Sequence, residues 1–197
     1  MSDGAAMAEW DETPGGGGPV VPGYEVVAVL GRGGMGVVYE AREITTGRPV
    51  ALKVLRAGAG PQERARFRAE AAVTARLRHP NVVAVHAAWE HDGVALLAME
   101  LVPGGGLDRR LAAGPLPPRE AAELVRAVAR AVQFAHDAGV VHRDLKPGNI
   151  LLGPSGPKIA DFGLAKRLDP AATALTRDGA VLGTPGYMAP EQAAGGD

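Results

Sequence analysis

The stretch VVHRDLKPGNILL, from Val140 to Leu152, decides the fold, because two short apolar runs flank a loop with a carboxylate, two cations and an amide. Such crowding of charge is costly unless a ligand uses it. Phosphoryl transfer from a nucleotide needs mainly a positioned hydroxyl, neutralised phosphate charge and held magnesium. Asp144 can orient a hydroxyl and accept its proton, Lys146 can reach the moving phosphoryl group, and the Asn149 amide oxygen can ligate Mg²⁺. The alternative is a charged surface turn between two strands.

This loop resembles the catalytic loop of protein kinases, in which residues like His142 and Arg143 are supports. Lys146 followed by Pro147 resembles the serine/threonine branch rather than the tyrosine branch. The resemblance implies an α+β, two-lobed protein-kinase-like fold, with an antiparallel sheet plus helix αC in the N-lobe and a mainly helical, incomplete C-lobe. The bias towards Ala, Gly, Arg and Pro is typical of GC-rich bacterial genes, so we expect a bacterial, Hanks-type serine/threonine kinase.

Composition bounds the other readings of the chain. A length of 197 residues allows one large domain or two small lobes, and a net charge of −1 argues against nucleic acid as the main partner. The absence of cysteine excludes disulfides, cysteine-ligated zinc and thiol catalysis. No apolar run has membrane-spanning length and no signal sequence is visible, so we expect a cytoplasmic protein, with a membrane anchor beyond Asp197 left open.

The N-terminal region divides into a tail and a glycine-rich hairpin. Residues 1–23 contain GGGG and show no period, so we expect a disordered tail there, followed by an N-lobe over 24–101 and a partial C-lobe over 102–197. In LGRGGMGVVYEA, glycines in G-x-G-x-x-G spacing let backbone N–H groups approach phosphate oxygens. A dinucleotide-binding fold would need a helix next, whereas VVYEA predicts a strand. A glycine-rich hairpin without a ligand is the other alternative.

The kinase resemblance implies that this loop covers ATP. The residues expected to contact ATP here are Leu30, Gly31, Arg32, Gly33, Gly34, Gly36 and Val38.

The next strand, PVALKVL, alternates so that Ala51 and Lys53 share one face while Leu52 and Val54 share the other. By resemblance, Ala51 stacks on adenine and Lys53 contacts the α- and β-phosphates. The alternative for Lys53 is a snorkelling side chain on an edge strand.

A helix over Gln62–Leu77 is predicted from its amphipathic pattern and helix-forming composition. It resembles αC, and Glu70 lies where the family places the acid that pairs with the lysine, here Lys53. A solvent-exposed glutamate is the alternative.

Two strands, Asn81–Ala88 and Val94–Leu101, are predicted before the stretch VPGGG. By resemblance, Met99 is the gatekeeper beside adenine, and backbone groups of the hinge from Glu100 to Val102 bind adenine. As sequence alone, Met99 is equally consistent with ordinary core. Leu151 completes the expected ATP contacts. A long helix from Arg119 to Ala138 then packs its apolar face and holds the catalytic loop.

The triplet Asp161-Phe162-Gly163 follows a short apolar strand, twelve residues after Asn149. The resemblance makes Asp161 the second metal ligand, with Mg²⁺ as the expected ion and Mn²⁺ as an alternative, and places Phe162 beneath αC.

The segment after this triplet has little apolar period and is predicted to be a mobile loop ending in GTPGYMAPEQ, which resembles the kinase substrate loop. Thr184 is expected to bond towards Asp144 and Lys146. Thr176, and secondarily Thr173, are the candidate phosphorylation sites, because Arg143 can pair with a phosphate there. Dimerisation for autophosphorylation is left open.

We therefore expect a kinase that transfers the ATP γ-phosphate to protein serine and threonine hydroxyls, in signalling. The family continues past the APE motif into further helices, so the chain resembles a truncated kinase domain, and a nucleotide-binding regulatory module with little or no activity is the alternative. Small-molecule kinases are disfavoured by the GTPGYMAPE segment. The physiological substrate is not readable from these residues.

Overall fold

The computed structural model describes residues 19–33, 36–56, 58–162, 166–167 and 185–193. Its first half contains, in chain order, β1 (Tyr24–Gly33), β2 (Gly36–Glu43), β3 (Pro49–Leu55), α1 (Pro61–Thr74), β4 (Val85–His91) and β5 (Val94–Glu100). Its second half contains α2 (Leu107–Ala112), α3 (Pro118–Asp137), β6 (Val140–Val141), β7 (Ile150–Gly153), β8 (Gly156–Ile159), β9 (Lys166–Arg167) and α4 (Pro190–Ala193).

The first five strands form one antiparallel sheet in the order β1-β2-β3-β5-β4. This arrangement confirms the predicted N-lobe sheet and places β3 at its centre rather than at an edge. Lys53 lies opposite Val38 on β2 and Leu97 on β5. The snorkelling alternative for Lys53 is thereby excluded, because both neighbours of its strand are paired.

The two faces of the sheet carry separate apolar clusters, as the alternation predicts. Leu52 and Val54 belong to the outer cluster, together with Leu96 of β5. The inner cluster lies between the sheet and α1; its buried members are Leu55, Ala59, Phe67, Ala71, Ala95 and Leu97. Lys53 is 8% exposed, a buried charge in a largely apolar strand.

The packed part of the N-lobe begins earlier than predicted. Val21, which the sequence analysis assigned to the tail, is 3% exposed and packs in the outer cluster. The ring of Tyr24 stacks on that of Trp89 with their centroids 5.2 Å apart. A single apolar residue before β1 gives no periodic signal, so the tail boundary could not be located from the pattern.

Helix α1 starts where its sequence signals indicate and ends one turn early. Pro61 occupies its first turn, and the Glu63 carboxylate accepts a hydrogen bond from the backbone N–H of Gly60 at 2.9 Å. The prediction extended the helix to Leu77, but the α-helix ends at Thr74. The last turn tightens, because the N–H of Leu77 bonds the carbonyl of Thr74, a three-residue spacing.

Strand β4 also begins later than predicted, at Val85 instead of Asn81. The backbone from Asn81 to Val83 instead pairs with β8: Val83 N–H donates to the Ile159 carbonyl at 2.9 Å, and Ile159 N–H donates to the Asn81 carbonyl at 2.8 Å. Because this partner lies far along the chain, local pattern could not reveal it.

The third cluster joins the end of α1 to the second half of the chain. Val73 and Leu77 share it with Ile159 and Phe162, so Phe162 packs with αC residues as predicted. The apolar face of α3 contributes the buried residues Val128, Ala131 and Ala135. Helix α2 was not predicted, because six residues between a GGG run and a Gly-Pro pair give too short a pattern.

Candidate active site

Lys53 lies between two carboxylates contributed by distant elements. Its Nζ is 2.8 Å from Oε1 of Glu70 on α1 and 2.6 Å from Oδ1 of Asp161 after β8. The predicted pair of Lys53 and Glu70 is therefore present, and Glu70 is buried rather than solvent-exposed. Burial alone would lower the pKa of Lys53, but the two carboxylates raise it above its usual value.

The Glu70 carboxyl occupies a costly environment. Its side chain is 3% exposed, and among the described residues its Oε2 atom has no hydrogen-bond partner. Burial raises the pKa of Glu70 to about 7; the Lys53 ammonium opposes the shift and the nearby Asp161 carboxylate adds to it. The lysine must therefore neutralise two acids that repel one another.

The catalytic loop holds Asp144 from two sides. The Nζ atom of Lys146 is 2.8 Å from Oδ2 of Asp144. The Asn149 amide Nδ2 donates to the Asp144 backbone carbonyl at 2.8 Å and to Oδ2 at 3.2 Å. These contacts orient the carboxylate, and they leave Oδ1 as the acceptor atom of the Asn149 amide.

His142 links this loop to the segment that carries Asp161. Its Nδ1 accepts a hydrogen bond from the Asp144 backbone N–H at 3.3 Å, so its Nε2 carries the proton and donates to the Ala160 carbonyl at 3.0 Å. Burial lowers the pKa of His142, which favours this neutral form. The Ala160 N–H in turn donates to the Asn149 carbonyl at 2.9 Å. Asn149 and Asp161, the two predicted metal ligands, are thus attached to adjoining backbone segments.

Two residues of the site adopt left-handed backbone conformations. Arg143 has φ of 66° and Asp161 has φ of 65°. Such conformations cost about 1–3 kcal/mol for residues other than glycine and concentrate at functional sites. Both lie next to the groups that the kinase resemblance assigns to catalysis.

The expected adenine contacts lie on one face of the sheet. Ala51 is opposite Met99 across β3 and β5, and Val38 is opposite Lys53 across β2 and β3. Met99 is half-buried and packs against the inner cluster. From the second half of the chain, Gly106 pairs with Leu151, and the space above Gly153 is bordered by buried Val102.

The glycines of the hairpin differ in what they require. A Cβ on Gly36 would lie 2.0 Å from the Val54 carbonyl oxygen, so that glycine is needed for strand packing. A Cβ on Gly31 or Gly33 would meet nothing within 4 Å. Leu30, Arg32 and Gly33 are exposed, and Gly34 lies outside the described residues.

Several predicted residues cannot be placed. Thr173, Thr176, Thr184 and Gly163 lie outside the part of the chain that the structure describes. One residue that the sequence analysis missed is Lys158 on β8, whose Nζ is 3.0 Å from Oε1 of Glu100. A lysine on a short, otherwise apolar strand was the signal that could have identified it.

Comparison with known proteins agrees with this geometry. The family model described as the protein kinase domain matches residues 24–196. The chain is similar to serine/threonine-protein kinase PknA of Mycobacterium tuberculosis, with 46% identity over 183 residues that cover 88% of this chain and 42% of PknA. It is also similar to PknJ of the same species, with 43% identity over 185 residues that cover 90% of this chain and 31% of PknJ.

A probable serine/threonine-protein kinase of Streptomyces coelicolor is 42% identical over 180 residues, which cover 87% of this chain and 27% of that protein. The chain thus spans less than half the length of these relatives. Among the described residues, no helix has the length and apolar character needed to cross a membrane. The fold, the lysine-glutamate pair, the catalytic loop and the family match agree, and the chain belongs to the protein kinase domain family.

Proposed function

We propose that the protein is a serine/threonine kinase that transfers the γ-phosphate of ATP to protein hydroxyls. The observation that carries the proposal is the meeting of Lys53, Glu70 and Asp161 within hydrogen-bond distance, beside a loop that presents Asp144 and Lys146. The printed names of the relatives support the serine/threonine branch.

Each charged group has a role that its position supports. The Asp144 side chain is 14% exposed and is oriented by Lys146 and Asn149, so it can accept the proton of an attacking hydroxyl. Lys146 is placed to neutralise charge on the transferred phosphoryl group. Lys53 would contact the α- and β-phosphates, and Glu70 acts through Lys53 as its positioning partner.

Asn149 and Asp161 fit a divalent cation. They offer an amide and a carboxylate oxygen, the donor types that Mg²⁺ prefers, and the Asp161 side chain is 52% exposed and so open to a ligand. Among the described residues, no three His, Cys, Asp or Glu side chains form a metal site on their own. Phosphate oxygens would therefore complete the shell, and the bound ion would neutralise phosphate charge.

Regulation by loop phosphorylation extends the proposal. Arg143 adjoins Asp144, so a phosphate that pairs with Arg143 would order the loop beside the site. Thr176 is the first candidate and Thr173 the second. Mass spectrometry after incubation with MgATP should find phosphate on Thr176, and modification of Thr173 alone would reject that assignment.

The test of the activity is transfer of label from [γ-³²P]ATP to a generic protein substrate, followed by phosphoamino-acid analysis. Phosphoserine and phosphothreonine without phosphotyrosine are expected, and labelling should require a divalent cation. Nucleotide binding without any transfer would instead support the regulatory-module alternative.

A further inference from the structure

Lys158 makes contacts that the proposed chemistry does not use. It lies three residues before Asp161, on β8, and its side chain is only 13% exposed. Its Nζ pairs with Oε1 of Glu100 at 3.0 Å and donates to the Pro80 carbonyl at 2.8 Å. One ammonium therefore joins β8 to two separate segments of the N-lobe.

Glu100 is held by three further elements of this arrangement. Its backbone N–H donates to the Ala84 carbonyl at 2.8 Å, and its Oε2 accepts a hydrogen bond from the Ala84 N–H at 3.3 Å. Its Oε1 is the atom that Lys158 contacts. Both carboxylate oxygens and the backbone N–H are thus engaged, which fixes the peptide at the end of β5.

Asn81 adds a parallel connection. Its Nδ2 donates to the Pro157 carbonyl at 2.7 Å, one residue before Lys158. Together with the backbone bonds between Ile159 and the residues 81 and 83, it holds β8 against the segment that precedes β4. We call the three side chains of Asn81, Glu100 and Lys158 the hinge clamp.

We propose that Lys158 is a positioning residue for ATP, acting through the hinge clamp on the adenine-binding backbone from Glu100 to Val102. The inference rests on the proposed function, because it assumes that this backbone binds adenine. The physical reason is preorganisation: a peptide fixed before the nucleotide arrives loses less conformational freedom on binding.

The clamp also explains why a lysine is required. The Glu100 side chain is 32% exposed, so its charge is partly removed from water and needs a partner. Without the ammonium, the carboxylate would turn to solvent and release the Ala84 N–H, and the hinge peptide would lose its fixed orientation. Because Asp144 and Lys146 lie on another loop, the chemical step should be little affected.

The experiment measures KM for ATP and kcat separately in the intact protein, with wild type, Lys158→Met, Lys158→Arg and Glu100→Gln. Lys158→Met should raise KM for ATP by about three- to tenfold, since a hydrogen bond to a charged group is lost, while kcat stays within about twofold. Lys158→Arg, which keeps the charge and donors, should restore most of the affinity. Adding Glu100→Gln to Lys158→Met should cost no more than Lys158→Met alone, because both remove the same interaction.

The matched control is Arg119→Met, which breaks an exposed ion pair within α3, where the Arg119 side chain is 92% exposed. It should leave both constants unchanged. If Lys158→Met does not fold, the nearly isosteric Glu100→Gln carries the test, with a raised KM expected.

An unchanged KM for ATP in both variants would overturn the inference, as would a loss confined to kcat. If the wild type phosphorylates protein and the clamp variants match it, only this inference fails. If the wild type binds no ATP at all, the proposed function fails and this inference fails with it.

Discussion

At the scale of single residues, the site is governed by one buried lysine shared between two acids. Lys53 is nine-tenths buried beside Glu70 and Asp161. Removal of the ammonium would leave an unpaired buried carboxyl, which is strongly unfavourable. The same ammonium is the group proposed to bind phosphates, so stability and nucleotide binding depend on one side chain.

The raised pKa of Glu70, about 7 against a usual 4.5, predicts a pH dependence of stability. Between these two values the folded state keeps a proton that the unfolded chain releases. The free energy of unfolding of the nucleotide-free protein should therefore fall as pH rises from about 4.5 to about 7. Glu70→Gln removes the titration, so its stability relative to wild type should increase over that range.

Urea unfolding of both proteins at several pH values measures this difference, in which the titration of His142 cancels. Glu123→Gln, a change of an exposed acid on α3, is the control and should run parallel to wild type. If Glu70→Gln also runs parallel to wild type, the pKa of Glu70 is not raised.

At this scale the sequence indicated the pair of Lys53 with Glu70, because the lysine falls on the inward face of a strand and the acid near the centre of a helix. It did not indicate that Asp161 also contacts Lys53. That contact depends on the left-handed backbone of Asp161, which only tertiary packing determines.

At the scale of elements, the hairpin of β1 and β2 separates glycines that pack from glycines that leave space. Gly36→Ala should destabilise the protein by about 1–3 kcal/mol, because its Cβ would overlap the Val54 carbonyl. Gly33→Ala should leave the melting temperature unchanged and raise KM for ATP, since its Cβ meets only the space proposed for phosphate. Thermal melts and ATP titrations of the two variants distinguish these effects. Equal melting temperatures for Gly36→Ala and wild type would contradict the packing account.

Helix α1 is attached to the sheet mainly through Phe67, which is 2% exposed in the inner cluster. Phe67→Ala should lower the free energy of unfolding by about 3–5 kcal/mol, through lost burial and the cavity left behind. Val125→Ala, at a 62% exposed position on α3, should change it by less than about 0.5 kcal/mol. Denaturant unfolding of both variants measures the difference, and a Phe67→Ala effect as small as that of the control would be inconsistent with this packing.

The sequence predicted most elements because their patterns are local: the alternation of β3 and the apolar stripe of α3 needed no distant partner. It failed at the end of α1 and the start of β4. There the backbone from Asn81 to Val83 pairs with β8, more than seventy residues later in the chain. Helix α2 was too short for its period to be recognised.

At the scale of the whole molecule, the two halves of the chain are joined through polar contacts as well as through the third apolar cluster. Lys53 reaches Asp161, and the hinge clamp joins β8 to the end of β5. The groups proposed to hold nucleotide therefore come from both halves, while the proposed base, Asp144, belongs to the second half alone. This division predicts that nucleotide binding and phosphoryl transfer can be separated by mutation.

The most direct measurement of the central claim compares Asp144→Asn with wild type in a protein phosphorylation assay, alongside ATP affinity by calorimetry. If Asp144 accepts the hydroxyl proton, kcat should fall by about 10²- to 10⁴-fold while the dissociation constant for MgATP stays within about twofold. Lysine and amide contacts to the remaining side chain should keep the loop folded. A variant that turns over at the wild-type rate would contradict the account.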